Sequence, residues 1–307
     1  MAKKIIFIHG RAQKPDKPSL EKLWYEAIEH GLQRDFGSTN SIKLFRDVDK
    51  QFVYYGDLSN ILLEKPTEDP KSRFEALSTL KEYSAKSFNK VTYQRVSKAG
   101  FLAEALADTF SAVLGKLKLA EPLITAVAPD MVHYWNEETY YGSDLRDRLS
   151  KALKDAFDNG DQIMLVSHSL GTMISYDSLW KLSHYGEYRH QYGDKMKIDL
   201  FVTLGSPLGD ENVKERLKGS SLKGKKKYPL NIHQWCNIAA EDDYISHDSK
   251  IKNDYKEMMK LGLIPGGMSD IHPVYNLCVR NGKSNPHSSI GYLINPKFTA
   301  LIHEWLC

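Results

Sequence analysis

The chain is predicted to be an α/β protein, a mostly parallel sheet flanked by helices with a helical insertion before its central turn. Three observations carry this. Short apolar runs of strand character, such as Ile5 to Ile8 and Ile198 to Leu204, alternate with stretches of helical spacing, which suits parallel strands joined by crossover helices. One stretch, Gln162 to Ser175, passes from an apolar strand (Ile163 to Val166) through Ser167-His168-Ser169-Leu170-Gly171 into an amphipathic helix from Thr172 to Leu182. Between Leu58 and about Asp158 the alternation stops, and prolines 66, 70, 122 and 129 punctuate an otherwise helical pattern.

In order, Lys4 to Ile8 reads as a buried strand ending in His9-Gly10-Arg11. Pro18-Ser19-Leu20 opens a helix to about Phe36, with Leu20, Leu23, Trp24, Ile28 and Leu32 on one face. Phe52 to Asp57 is the next strand candidate. Within the insertion, Phe101, Leu102, Ala105, Leu106, Phe110, Val113, Leu114 and Leu117 form a stripe at three- and four-residue intervals. It reads either as a face packed on the main body or as a lid over an apolar pocket. A helix over Leu145 to Phe157 stops at Asn159-Gly160. Strands at Ile198–Leu204 and Ile232–Ala240 follow the central turn, then a helix over Lys250 to Leu261, a last short strand at Val274–Val279 and a closing helix at Pro296–Leu306. The expected division is a core of residues 1–57 and 143–307 with a helical cap of residues 58–142.

The bulk properties narrow the function classes. With 307 residues, 41% hydrophobic and 26% charged, the chain can bury a sizeable core. A formal net charge of +3 is too weak to argue for nucleic acid, none of which is expected as a partner, and Lys223-Gly224-Lys225-Lys226-Lys227 reads as a solvated loop. Cys236, Cys278 and Cys307 are widely spaced and odd in number, which suits a reduced, cytoplasmic setting. The first apolar run stops at Ile8, short of a signal-peptide core, and no run approaches membrane-spanning length, so no stable membrane insertion is expected. No His-Glu-x-x-His or glycine-rich phosphate loop occurs, and His184, His190 and His233 show no ligand-pair spacing; no metal and no cofactor is expected.

Strand, tight turn with a central serine, helix is the context of a nucleophile elbow, where positions two before and two after the serine must be small. Gly171 meets that demand, and Ser167 stands where the usual pattern has glycine. On this stretch, on His9-Gly10 after the first strand, on the strand end Leu204-Gly205-Ser206-Pro207 and on the loop around His287, the chain resembles the α/β-hydrolase superfamily, in particular its lipase- and esterase-like members. The resemblance implies a Ser–Asp–His triad met in that order: Ser169 as nucleophile, Asp243 as acid and His287 as base. Asp243-Tyr244-Ile245 resembles the acid loop of lipase-like relatives; Asp242 is its close rival. The backbone N–H groups of Leu170 and Arg11 become the oxyanion donors, and His9, Gly10 and His168 line the substrate site. Ser206, followed directly by Pro207, reads as a turn residue, and Asp248 as a helix cap ahead of Lys250. His247 and His272 could approach the same edge. The implied activity is cofactor-independent cleavage of an ester, thioester or lipid acyl bond in a small or lipid-like substrate. An acyltransferase would use the same residues, and a non-catalytic relative would bind a partner or apolar ligand through the cap.

Overall fold

The computed structural model describes residues 2–98, 100, 129–193, 196–246 and 248–307. Six strands form one sheet: β1 (Lys3–Ile8), β2 (Asp49–Val53), β3 (Gln162–His168), β4 (Ile198–Leu204), β5 (Ile232–Ala240) and β6 (Met268–Val274). Their order is β2-β1-β3-β4-β5-β6, and every neighbouring pair is parallel. A parallel sheet needs both faces covered, because each strand presents alternate side chains to either side. In β1, Ile6 and Ile8 join one core cluster while Ile5 and Phe7 join the other. The first cluster packs on helices α5 (Tyr141–Asp158) and α6 (Leu170–His184) through Leu145, Leu149, Met173 and Ile174. The second packs on α1 (Lys17–Phe36) and the closing helix α8 (Pro296–Leu306) through Leu23, Trp24, Ile28, Phe298 and Ile302. A short helix, α7 (Ser289–Leu293), precedes α8.

The described helices of the expected insertion pack on the sheet's two cores. From α2 (Lys71–Lys81) and α3 (Lys90–Ser97), Ala76, Leu77, Leu80 and Tyr93 belong to the Trp24 core. From α4 (Pro129–Trp135), Met131 and Tyr134 belong to the opposite one. The apolar stripe from Phe101 to Leu117 lies outside the described residues, as does His247.

Three expected boundaries moved. The second strand runs Asp49–Val53 rather than Phe52–Asp57, since its register against β1 ends at Ile8↔Val53. An edge strand half open to solvent tolerates Asp49 and Lys50, so it shows no apolar run. Tyr54 and Tyr55 instead leave the sheet and donate to the carbonyls of Pro15 and His9 at 2.8 and 2.7 Å. The last strand of the sheet is Met268–Val274 rather than Val274–Val279, again a polar edge strand, and its Pro273 is of the kind edges accept. The helix expected over Lys250–Leu261 is broken into a 3₁₀ turn at Ile251–Asn253 and a helix at Lys256–Lys260. Asp248 consequently caps no helix; its carboxylate accepts from the Lys250 N–H at 3.3 Å within a loop.

The strand order has a functional consequence. From β1 the chain moves outward to β2, then returns to β3 on the other side of β1. Loops leaving β1 and β3 at their carboxyl ends therefore part in opposite directions and open a crevice, the place where parallel sheets bind ligands.

Candidate active site

At that crevice β3 ends and α6 begins with no residue between them except Ser169. Ser169 has φ +54° and ψ −127°, a backbone state that an L side chain enters only against steric cost. Its N–H is bonded to the Leu204 carbonyl at 3.0 Å and its carbonyl accepts from the Thr172 hydroxyl at 2.7 Å, so both sides of the turn are tied down. Ser206 donates in turn to Thr172 at 2.9 Å and accepts from the Leu208 N–H at 3.2 Å, which makes it a brace of the turn. Gly171 lies against β1: a Cβ there would come within 2.5 Å of the His9 carbonyl oxygen. Ser167, standing in the other small position, exchanges a hydrogen bond with Ser175 of α6 at 2.7 Å. A glycine would leave that strand-to-helix bond unmade.

The Ser169 hydroxyl lies 2.9 Å from His287 Nε2, and His287 Nδ1 lies 2.9 and 3.0 Å from the two carboxylate oxygens of Asp243. Nδ1–H thus donates to Asp243, and Nε2 is left as the acceptor facing the serine. Asp243 follows β5 and His287 precedes α7, so three distant segments converge here. Asp243 also accepts from the Tyr292 hydroxyl at 2.5 Å and from the Ile245 N–H at 3.1 Å. Tyr292 takes the Ala240 N–H at 2.9 Å, and burial beside Asp243 pushes its phenol well above the ordinary range, so it stays a donor. Asp242 turns away, with φ +56°, and accepts from Tyr93 at 3.1 Å. Gly205 makes room for the pair: a Cβ on it would stand 2.8 Å from Asp243 Oδ2 and 3.1 Å from the His287 ring.

His9 and His168 each make hydrogen bonds to the surrounding framework. His9 is 1% exposed; it accepts the Tyr55 N–H on Nε2 at 3.0 Å and reaches the Gly10 carbonyl with Nδ1 at 2.8 Å. Burial, with Lys14 nearby, drives its pKa well below the ordinary value, so the ring is neutral with its proton on Nδ1. That proton holds the Gly10 carbonyl, and in a planar trans peptide the N–H of Arg11 points the opposite way. His9 therefore orients the amide that was expected to receive an oxyanion. His168 Nε2 donates to the His287 carbonyl at 2.9 Å; burial and then the neighbouring His287 depress its pKa, keeping a second cation away from the His287 ring. Gly10 is the point of closest approach, since a Cβ there would sit 2.6 Å from the Ser169 Cβ and 2.8 Å from His168 Nδ1.

Arg11 and Leu170 flank this contact. Leu170 is the first residue of α6, where an N–H has no acceptor within the helix. The Arg11 side chain is engaged by Asp130 of α4, with Nε 2.9 Å from Oδ1. Tyr292 and Asp130 both escaped the sequence reading. Each is a single polar residue in a segment with no motif, and only the fold brings them to the site. His272 lies on β6 outside the hydrogen-bonded set.

Ser169 itself is 1% exposed, so the hydroxyl does not lie on an open surface. A cavity of about 360 Å³ lined by Tyr176, Lys214, Tyr228 and Tyr255 lies elsewhere and contains none of these groups. Among the described residues no three His, Cys, Asp or Glu side chains gather as a metal site, and no helix is long and apolar enough to cross a membrane. Comparisons with family models, curated proteins and solved structures found no match for the chain. The reading of the site rests on its geometry.

Proposed function

We propose that this protein is a cofactor-independent serine hydrolase of the α/β-hydrolase type, cleaving a carboxylic ester or related acyl bond through Ser169, His287 and Asp243. One observation carries the reading: a serine held at positive φ in a strand-to-helix turn lies 2.9 Å from an imidazole whose other nitrogen is fixed by a buried carboxylate. Backbone strain of this kind is retained where the surrounding structure enforces it, and here three segments do so.

In the proposed reaction the Ser169 oxygen attacks the acyl carbon as its proton passes to His287 Nε2. The carbonyl oxygen becomes an oxyanion, facing the N–H groups of Leu170 and Arg11, each donor worth about 3–4 kcal/mol in comparable sites. Collapse breaks the bond to the leaving alcohol, which takes the proton from His287 and leaves an acyl-serine. Water then gives its proton to His287, attacks the acyl carbon and releases the acid, and Ser169 recovers its proton. Asp243 stays ionised throughout and stabilises the imidazolium across Nδ1. An acceptor other than water at the second stage would make the same site an acyltransferase.

Because Ser169 is almost fully buried, the test uses a small probe. A fluorophosphonate should label the wild type at Ser169, and p-nitrophenyl acetate should be turned over. Ser169→Ala should fold normally, take no label and lose about 10⁴–10⁶-fold in turnover, as other triads do. Labelling retained in that variant, or none in the wild type, would sink the reading.

A further inference from the structure

We propose that helix α4 is a clamp that fixes the spacing of the two oxyanion-binding amides, with Asp130 as its positioning residue. The inference rests on the hydrolase reading above and goes beyond it, because no group of α4 belongs to the proposed triad.

The sheet alone cannot set that spacing. Its register brings β1 and β3 together as far as Ile8↔Ser167, and both chains then leave it. Arg11 lies in the loop beyond β1, and Leu170 opens α6 beyond β3. Gly10 and Gly171 bring the two segments into contact, and α4 adds side-chain bonds to both. At its start, Asp130 is wholly buried and takes two donors from the loop: Arg11 Nε on Oδ1 at 2.9 Å and the Ala12 N–H on Oδ2 at 2.7 Å. Ala12 is held at φ +70°, so this bond fixes the peptide that follows Arg11 in a conformation an alanine does not favour unaided. One helical turn later Tyr134, also buried, donates to Asp177 of α6 at 2.7 Å. Asp177 accepts the Lys218 N–H at 2.8 Å on its other oxygen, so it is anchored from both sides. A spacing of four puts Asp130 and Tyr134 on one face of α4, and that face grips the loop at one end and the oxyanion helix at the other.

The chemistry suits a latch. Burial by itself would raise the Asp130 carboxyl, but the Arg11 charge and the Ala12 N–H outweigh it and hold the pKa below the usual carboxylate value. The groups it grips therefore favour its charged form. Lys14 adds to the grip from below, its ammonium bonded to the carbonyls of Arg11, Ala12 and Gln13. Successive carbonyls turned toward one ammonium leave their peptide planes little freedom.

The test separates positioning from stability. Asp130→Ala, Asp130→Asn, Tyr134→Phe and the double variant Asp130→Ala/Tyr134→Phe are assayed with p-nitrophenyl acetate. Folded sites are titrated with a fluorophosphonate, and inhibition by a small trifluoromethyl ketone, which forms an oxyanion on Ser169, is measured. Asp130→Ala should lower kcat about 10²-fold per titrated site, toward the loss seen when one donor is removed, and leave KM within about twofold. The ketone Ki should rise by the same factor as kcat falls. Asp130→Asn, which keeps an oxygen for Ala12, should recover part of both and serves as the readout if the alanine variant does not fold. Tyr134→Phe should cost less, and the double variant should lose little beyond Asp130→Ala, as expected of one coupled device. Wild-type kcat and Ki in Asp130→Ala, a loss matched wholly by fewer titratable sites, or fully additive losses would each overturn the clamp while leaving the hydrolase reading intact. An inactive, unlabelled wild type would instead remove the hydrolase reading, and the clamp with it.

Discussion

The loop after β1 packs on Ser169 directly and the loop after β5 reaches it through His287, and they are held by opposite means. The first is held by buried ions: Asp130 grips Arg11 and Ala12, and Lys14 gathers three carbonyls. The second is held by neutral groups, with Asp243 receiving the Tyr292 hydroxyl and the Ile245 N–H and, among the described residues, no Lys or Arg bonded to it. The difference follows from what each loop would do. A backbone amide that binds an oxyanion needs only to be fixed, and a charged latch fixes it. In the proposed reaction Asp243 faces an imidazolium, and a lysine or arginine against it would compete with that cation for the carboxylate. Neutral donors orient the carboxylate without cancelling it.

The sharpest test of this contrast sets the neighbouring carboxylates against each other. Asp243→Asn should preserve the local geometry yet cut turnover by about 10⁴-fold, because an amide cannot hold the imidazole proton on Nδ1. Asp242→Asn should cost less than about twofold in kcat, since its partner is Tyr93 and not His287. Equal losses in the two variants would dissolve the distinction between them.

A smaller effect is expected from Tyr292→Phe. It removes the donor to Asp243 and leaves the buried Ala240 N–H without an acceptor, a loss of about 1–3 kcal/mol in stability by urea unfolding. Turnover should fall about tenfold, equivalent to about 1.4 kcal/mol, as Asp243 loosens. Unchanged turnover would show that the Ile245 N–H alone holds the carboxylate.

A pH-dependent effect belongs to the β1 and β3 side. His9 and His168 have pKa values depressed chiefly by burial, so the unfolded chain binds protons that the folded chain refuses. Their contribution to stability is fully present above the unfolded value of about 6.5, and it is lost as pH falls from there toward the folded values, at up to about 1.4 kcal/mol per pH unit for each ring. Urea midpoints should therefore drop between pH 7 and pH 5, and a flat profile would contradict buried, neutral rings.

Much of this was legible in the sequence where the information is local. The elbow declares itself because a strand, a small-residue turn and a helix must be adjacent in the chain: Ile163 to Val166, Ser169 and Gly171 state it outright. The buried strands β1, β3 and β4 announce themselves because both faces are covered, which favours runs of apolar residues. Edge strands β2 and β6 carry no such demand, and their boundaries were misplaced for that reason. Asp243 and His287 follow from chain order, and only the Asp243-Tyr244-Ile245 resemblance favours Asp243 over its neighbour Asp242. That choice is made by a single backbone dihedral at Asp242 and by Tyr292, fifty residues away in sequence. His9 is nominated by the His-Gly resemblance alone; only Tyr55 and the Gly10 carbonyl, brought in by the fold, show both nitrogens spent. Asp130 had no signal at all, because a lone carboxylate acquires meaning only from the donors that tertiary packing sets around it. Sequence determines what covalent neighbours must do together. Partnerships across the fold depend on distances that only the packed sheet and its helices decide.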